Sequence, residues 1–180
     1  MISLFSRSRR AAFTLIELLC TIAIIVLLAS LIGPAMSYMT TRAELVQCGN
    51  NLRQIDMAMK LKVQDNNNVY PKVESEPDNP IYGPEDGALP LAEILKPYGI
   101  NERALRCPAD VRGPNHFAKN GSSYVWFPLV DGEISSLMKV YLPAGVLELP
   151  LSRLPEAADF SSVHRGRQNI IFANGHVVTF

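Results

Sequence analysis

A single carboxylate, Glu17, interrupts an otherwise apolar stretch near the start of the chain. This stretch, Ala11 to Met36, reads AAFTLIELLCTIAIIVLLASLIGPAM and holds no Lys, Arg or His. A carboxylate in lipid costs about 2.5–3.5 kcal/mol near the centre of a spanning helix, so it needs a partner. The partner must come from another chain or from a newly made α-amino group. Cleavage between Ala12 and Phe13 would create such an amine four residues before Glu17.

Two of the three cysteines could react with each other. Cys20 lies in the apolar stretch, which leaves Cys48 and Cys107 as the pair for an oxidising compartment. A bond between them would tie a predicted helix to a later loop and stabilise the fold by about 3–4 kcal/mol. Two separately buried thiols remain the alternative.

The histidines near the carboxyl end do not form a recognisable metal or catalytic pattern. His164, His176 and Asp159 have no metal-ligand spacing, and histidines around a hairpin are more often hydrogen-bonded. Ser161 and Ser162 are close to His164, but a catalytic triad is a spatial arrangement that crowding in sequence does not establish. The chain also lacks a nucleophile elbow and a phosphate-binding glycine loop. We therefore predict no catalytic residues, no metal ligands and no enzyme activity.

The apolar stretch must position Glu17, and its length is that of a membrane span. About 20 apolar residues in a helix cross the hydrocarbon core of a bilayer. Arg7, Arg9 and Arg10 precede it, which favours a cytoplasmic amino end and places everything after Met36 across the membrane. A removed secretory signal peptide and a plain signal anchor are the alternatives. The length of the run and the glutamate at its start count against the signal peptide.

Residues 12–19, AFTLIELL, resemble the processing and methylation site of type IV prepilins and type II secretion pseudopilins. In that family a short basic leader is cut off before the phenylalanine, and the new amino-terminal residue is methylated. The resemblance implies that Ala12 and Phe13 are the processing site. It also implies that Glu17 neutralises the amine of a neighbouring subunit and that Pro34 bends the assembly helix. The family usually has glycine where this chain has Ala12, which predicts less efficient cleavage.

The resemblance also implies partners and a location. The partners would be a prepilin peptidase/methyltransferase, the membrane, and other pilin-like subunits in a homo- or hetero-filament. The protein would cross the inner membrane once, with its globular part periplasmic or extracytoplasmic. Seventeen basic residues balance seventeen acidic ones, so no nucleic-acid partner is predicted.

No cofactor is predicted, with calcium as the alternative because some pseudopilins hold it. The candidate ligands are acidic side chains between residues 74 and 86: Glu74, Glu76, Asp78, Glu85 and Asp86. The ligand spacing of a calcium loop is missing and prolines interrupt the run, so a solvated loop is the better interpretation.

Beyond the membrane span, an apolar residue recurs every three or four positions, which predicts one buried side of a helix. Its members are Leu45, Cys48, Leu52, Ile55, Met59 and Val63. Residues 65–68, Asp-Asn-Asn-Asn, should end this helix. Strand-like runs follow at Tyr124–Phe127 and Met138–Leu142. Two more flank Asn174-Gly175, which is a strong signal for a hairpin.

Later segments resemble a branch of prepilin-like proteins abundant in planctomycetes. These segments are Cys48-Gly-Asn-Asn-Leu-Arg-Gln-Ile, the stretch from Gln64 to Pro71, and Cys107-Pro-Ala-Asp. The branch ends with a histidine, nine residues and Asp-Gly. His164 followed by Asn174-Gly175 fits that spacing, with Asn in place of the usual Asp.

The predicted fold class is α+β: a long N-terminal helix, first transmembrane and then amphipathic, packed on a small, mostly antiparallel β-sheet. The predicted parts are a leader at 1–12, a transmembrane assembly helix at 13–35, its amphipathic continuation at 36–66 and a β-rich domain at 67–180. We expect a prepilin-like structural subunit of a type IV pilus or a type II secretion pseudopilus-like filament. The alternative is a membrane-anchored binding module that does not polymerise. A DNA-uptake filament stays open as well, because all three kinds of filament share the N-terminal motif. The sequence also leaves open whether the protein is a major or a minor subunit.

Overall fold

The computed structural model describes residues 13–74, 86–113, 115–127, 132–133, 137–142, 145–160, 163–164 and 166–180. The chain divides into two compact units, Met1–Thr40 and Thr41–Phe180. The predicted leader, with Ala12, lies outside the described residues. So do residues 75–85, which hold three of the five acidic side chains weighed as calcium ligands.

The first helix, α1, covers Leu15–Asp65. Every residue from 13 to 31 is exposed, as expected for a segment whose surroundings would be lipid or other helices. By length and composition α1 can cross a membrane. Pro34 lies within α1, which continues through it. The helix ends at three asparagines, and Asn67 and Asn68 adopt positive φ values of 55° and 61°, a conformation that asparagine tolerates better than most residues.

In the second unit, the predicted apolar stripe of α1 is buried, which confirms that part of the sequence analysis. Cys48, Leu52, Ile55 and Met59 have no exposed surface. Leu45 is half-buried. The stripe belongs to a core that also includes Leu95, Trp126, Leu154 and Ile171, drawn from short helices, strands and the turns between them.

A four-stranded antiparallel sheet, in the order β2-β6-β7-β8, forms the main β-structure. Its strands are β2 (Tyr124–Trp126), β6 (Pro155–Asp159), β7 (Asn169–Phe172) and β8 (Val177–Thr179). The predicted hairpin at Asn174-Gly175 is confirmed, because β7 pairs with β8 in a register that places Ile170 opposite Val178. Together with α1, this sheet confirms the α+β fold class.

Two further strand pairs complete the described β-structure. Strand β1 (Val69–Tyr70) pairs antiparallel with β3 (Gly132–Glu133). Strand β4 (Leu137–Leu142) pairs antiparallel with β5 (Gly145–Pro150). The segment predicted as a strand from Met138 is therefore extended.

Short helices occupy the region between β1 and β2. They are α2 (Leu91–Leu95), α3 (Glu102–Leu105) and α4 (His116–Asn120), together with 3₁₀ turns at Lys96–Tyr98 and Pro108–Arg112. Their brevity explains why hydrophobic periodicity did not reveal α3 and α4, since a single turn shows no repeat.

Candidate functional site

The amino end of α1 is held by three reciprocal hydrogen bonds between Thr14 and Glu17. Thr14 donates to Glu17 Oε2 through its backbone N–H, at 2.9 Å, and through its hydroxyl, at 2.7 Å. The Glu17 N–H in turn donates to Thr14 Oγ1 at 3.3 Å. This is a capping box, which satisfies backbone donors that the first turn of a helix leaves free.

The capping box adds a partner that the sequence analysis did not consider, since it weighed only another chain or a newly made α-amino group as the partner of Glu17. Thr14 supplies two hydrogen bonds from within the chain, and its spacing of three residues from Glu17 was a visible signal. Both bonds are to Oε2, and Glu17 Oε1 receives none from the described residues. Thr14 carries no charge, so the negative charge of Glu17 still has no compensating cation among those residues.

Within the second unit, Cys48 and Cys107 form a disulfide, with their Cα atoms 5.4 Å apart. Cys48 lies on the buried side of α1, and Cys107 directly precedes the 3₁₀ turn Pro108–Arg112. Both are fully buried. The bond therefore joins α1 to the region of short helices, 59 residues further along the chain.

The Cys107-Pro-Ala-Asp segment has a structural explanation residue by residue. Pro108 opens the 3₁₀ turn, where its missing N–H is not needed. Asp110 is fully buried and accepts hydrogen bonds from the N–H groups of His116 and Phe117, at 2.9 and 2.8 Å, which cap α4. The Ser123 hydroxyl also donates to Asp110, at 2.7 Å. This carboxylate thus fixes the backbone on the carboxyl side of the disulfide.

His164 lies against the disulfide. Its Nε2 is 3.3 Å from Cys107 Sγ and 3.2 Å from Asp159 Oδ2. Both the histidine and the aspartate are almost fully buried. Nδ1 of His164 has no hydrogen-bond partner among the described residues. The first residue of the predicted C-terminal motif therefore belongs to a buried cluster with Cys48, Cys107 and Asp159.

Asp159 is held in place by Asn169, a residue that the sequence analysis did not single out. The backbone N–H and the side-chain amide of Asn169 both donate to Asp159, each at 2.8 Å. The same amide donates to the Leu45 carbonyl of α1 at 3.0 Å, and Thr179 donates to the Asn169 Oδ1 at 2.6 Å. No sequence signal identifies such a bridge, because its members are up to 124 residues apart.

The second half of the C-terminal motif contacts α1. Gly175 has a φ of 83° in the turn of the β7–β8 hairpin. A Cβ atom added there would lie 3.2 Å from Asp56 Oδ2 and 3.2 Å from Lys60 Nζ, which form an ion pair one turn apart on α1. His164 and Gly175 thus mark two separate places where the carboxyl-terminal segment meets α1 or the disulfide attached to it.

We expect Gly175→Ala to lower the free energy of unfolding by about 2 kcal/mol. A positive φ costs a residue with a Cβ about 1–2 kcal/mol, and the close approach to Asp56 adds to that cost. Gly121→Ala is the matched control, because Gly121 has a φ of 69° and no atom within 4 Å of the added Cβ. Urea unfolding of both variants should show the larger loss at Gly175. Equal losses would contradict the contact with α1.

A buried acid, Glu156, lies beside the Asp56–Lys60 pair. Neither carboxyl oxygen of Glu156 has a partner at good hydrogen-bond geometry among the described residues, although the Tyr70 hydroxyl and the Asp56 carboxyl lie close enough to act on its pKa. Burial raises the pKa of Glu156 well above its usual value, and the neighbouring Asp56 carboxylate raises it further, while Lys60 acts in the opposite direction. Folding therefore favours the protonated form of Glu156.

This raised pKa makes the contribution of Glu156 to stability depend on pH. The contribution is fully present below the unfolded pKa of 4.5 and is lost as the pH rises through the higher folded pKa. We expect Glu156→Gln to raise the free energy of unfolding at pH 8 by about 1–3 kcal/mol, the range for a buried polar group without partners. The gain should shrink towards pH 4. The exposed Glu93→Gln should show no such trend. A gain in Glu156→Gln that does not depend on pH would contradict the raised pKa of Glu156.

Three other residues singled out in the sequence lie in neither the capping box nor the cluster around the disulfide. His176 lies next to the hairpin turn and is exposed, and it is not in the group of potential metal ligands formed by the described residues. Cys20 is a free, exposed thiol on α1. Asn174 accepts a hydrogen bond from the backbone N–H of His176 at 3.1 Å, which stabilises the turn.

Comparison with known proteins adds one finding. A family model described as the prokaryotic N-terminal methylation motif matches residues 7–33. No curated protein and no solved structure matches the chain. The matched segment contains Phe13, Thr14 and Glu17 and extends along the apolar part of α1. The chain therefore carries the prepilin-type cleavage and methylation signal at the start of a single-pass membrane anchor, the N-terminal arrangement of pilin-like proteins.

Proposed function

We propose that this protein is a prepilin-like structural subunit that is cleaved before Phe13, methylated there and assembled through α1 into a filament. The filament would be a type IV pilus or a type II secretion pseudopilus-like fibre. The methylation motif at residues 7–33 supports the processing step. The partners would be a prepilin peptidase/methyltransferase and other pilin-like subunits, with the globular part on the extracytoplasmic side of the inner membrane.

The observation that carries the assembly step is the state of Glu17. Its Oε2 accepts both hydrogen bonds from Thr14, whereas Oε1 is left without a described donor. An unpaired carboxylate is costly in lipid, so a cation that reaches it there is strongly favoured. Cleavage before Phe13 would provide one ammonium group per subunit, and the amine of a neighbouring subunit could bind Oε1 without disturbing the cap.

The apolar surface of α1 supports the same step. From residue 13 to residue 31 no side chain is buried, and the sequence offers lipid-compatible groups on every face except at Glu17. Helices in lipid associate through close packing and through polar contacts between them. The apolar helices would supply the packing, and Glu17 would supply the polar contact that fixes the register of adjacent subunits.

Substitutions at the processing site test the proposal. We expect Ala12→Leu to leave the chain uncut and absent from sheared filaments, because leucine departs further from the glycine usual at this position. Ala12→Gly should increase the processed fraction. Ala11→Leu, one residue earlier, is the matched control and should be processed normally. Electrophoretic mobility, with and without the peptidase, measures processing, and filaments containing the uncut Ala12→Leu chain would contradict the proposal.

A further inference from the structure

The buried cluster beside the disulfide contains the ligand atoms of a metal site. The Sγ atoms of Cys48 and Cys107 and a ring nitrogen of His164 all lie within 4.8 Å of one another. Asp159 Oδ2 adds a carboxylate oxygen 3.2 Å from His164 Nε2. Thiolate, imidazole and carboxylate are the ligands that bind Zn²⁺ in proteins, usually four at a time.

Two of the distances between these atoms are close to those of a tetrahedral zinc centre. Zinc–ligand bonds of about 2.0–2.3 Å at tetrahedral angles place neighbouring ligand atoms roughly 3.3–3.8 Å apart. Cys107 Sγ is already 3.3 Å from His164 Nε2, and Asp159 Oδ2 is 3.2 Å from the same nitrogen. Two movements are needed. The two sulfur atoms must separate by side-chain rotation while the Cα atoms stay 5.4 Å apart, and the Asp159 carboxylate must turn towards them, because it is not among the ligand atoms that lie within 4.8 Å of one another.

The surroundings also favour a metal ion. All four side chains are buried, with at most 2% of any of them exposed, so water would compete poorly for the ion. Asn169 donates two hydrogen bonds to Asp159 and so fixes the carboxylate. Hydrogen bonds to a side chain that binds a metal orient that ligand and typically raise the affinity of the site for the metal.

We propose that, when the Cys48–Cys107 disulfide is reduced, Cys48, Cys107, His164 and Asp159 form a Zn²⁺ site. A thiol or phosphine reductant supplies two electrons, the S–S bond breaks, and each sulfur takes up one proton. Zn²⁺ then displaces both thiol protons to solvent and forms two Zn–S bonds, with His164 Nε2 and Asp159 Oδ2 as the other ligands. The same position in the core thus holds either a disulfide or a metal ion.

The structure also limits the affinity of this site. Coordination through Nε2 places the ring proton of His164 on Nδ1, which has no partner among the described residues. A missing partner for a ligating histidine typically costs 10–100-fold in metal affinity. We therefore expect stoichiometric zinc binding that is weaker than in structural sites whose histidines are fully hydrogen-bonded.

Cobalt binding to the full chain in detergent tests the proposal. A Cys20→Ser background leaves Cys48 and Cys107 as the sole thiols, and Co²⁺ reports its ligands through thiolate charge-transfer and tetrahedral ligand-field absorption. After reduction by a phosphine and its removal, we expect one equivalent of Co²⁺ to produce both bands and one equivalent of Zn²⁺ to displace it. The oxidised chain should give neither band. Zn²⁺ should also raise the thermal unfolding midpoint of the reduced chain but not of the oxidised one.

Histidine variants distinguish the site from incidental binding by two thiolates. His164→Ala removes a proposed ligand and should weaken Co²⁺ binding by more than about 10–100-fold. That range is the typical loss when only a residue that hydrogen-bonds to a metal ligand is removed. His176→Ala is the matched control and should bind as the parent does. If reduction unfolds the chain, refolding on addition of one equivalent of Zn²⁺ supports the proposal. Absence of the charge-transfer band in the reduced parent, or equal binding by His164→Ala, would overturn it.

Discussion

Replacing Glu17 by alanine is expected to leave membrane insertion intact and to abolish filament assembly. The apolar stretch loses its single charge, so insertion becomes easier. The proposed contact with the Phe13 amine of a neighbouring subunit disappears. If that contact relieves the full cost of about 2.5–3.5 kcal/mol, each subunit interface weakens roughly 60-fold or more. Membrane fractionation measures insertion, and shearing followed by electron microscopy measures assembly.

Two neighbouring variants separate the charge of Glu17 from its capping role. Glu17→Gln keeps an acceptor for Thr14 but removes the charge, so it should also fail to assemble. Thr14→Val removes the side-chain half of the capping box and keeps the carboxylate, so it should still assemble. Normal filaments from Glu17→Gln would show that the charge is not needed. That result would favour a role for Glu17 confined to the helix end.

The second large effect is expected from the disulfide. Replacing both Cys48 and Cys107 by alanine should lower the free energy of unfolding by about 4 kcal/mol, because the bond closes a loop across 59 residues in the unfolded chain. Urea unfolding in detergent with a metal chelator present measures the loss. Cys20→Ser, which touches neither sulfur, is the control and should unfold like the parent. A loss below about 1 kcal/mol would mean that the bond constrains the unfolded state far less than its loop length implies.

Sequence patterns predicted the structure correctly where the pattern lies within a single helix or hairpin. The buried side of α1 is confirmed at Cys48, Leu52 and Ile55 because a helix of many turns repeats its apolar spacing. The hairpin at Asn174-Gly175 is confirmed because its turn chemistry is local. Glu17 was singled out by composition, but its capping by Thr14 was overlooked although the spacing was visible.

The arrangement around the disulfide could not be predicted in the same way. His164 meets Cys107 across 57 residues, and Asn169 meets Leu45 across 124. Such contacts depend on how strands and helices pack, and no local pattern encodes them. The burial of Glu156 was hidden as well, because four successive residues of its strand, Glu156 to Asp159, are buried, so no alternation marks that side chain.

The C-terminal resemblance noted in the sequence gains a physical basis from these contacts. His164 contacts the disulfide, and Gly175 lies against the Asp56–Lys60 pair of α1. The nine residues between His164 and Asn174 include strand β7, whose Asn169 bridges Asp159 and Leu45. The spacing therefore corresponds to one strand and its turn, with an anchoring residue at each end.

The most direct test of the proposed function is the mass of the amino-terminal peptide of the protein recovered from its native membrane. The account predicts a chain that begins with N-methylated Phe13, since both the methylation motif and the position of Glu17 point to that cut. A chain that begins at Met1, or one cut beyond Met36, would contradict it. Either result would remove the amine that Glu17 is proposed to bind.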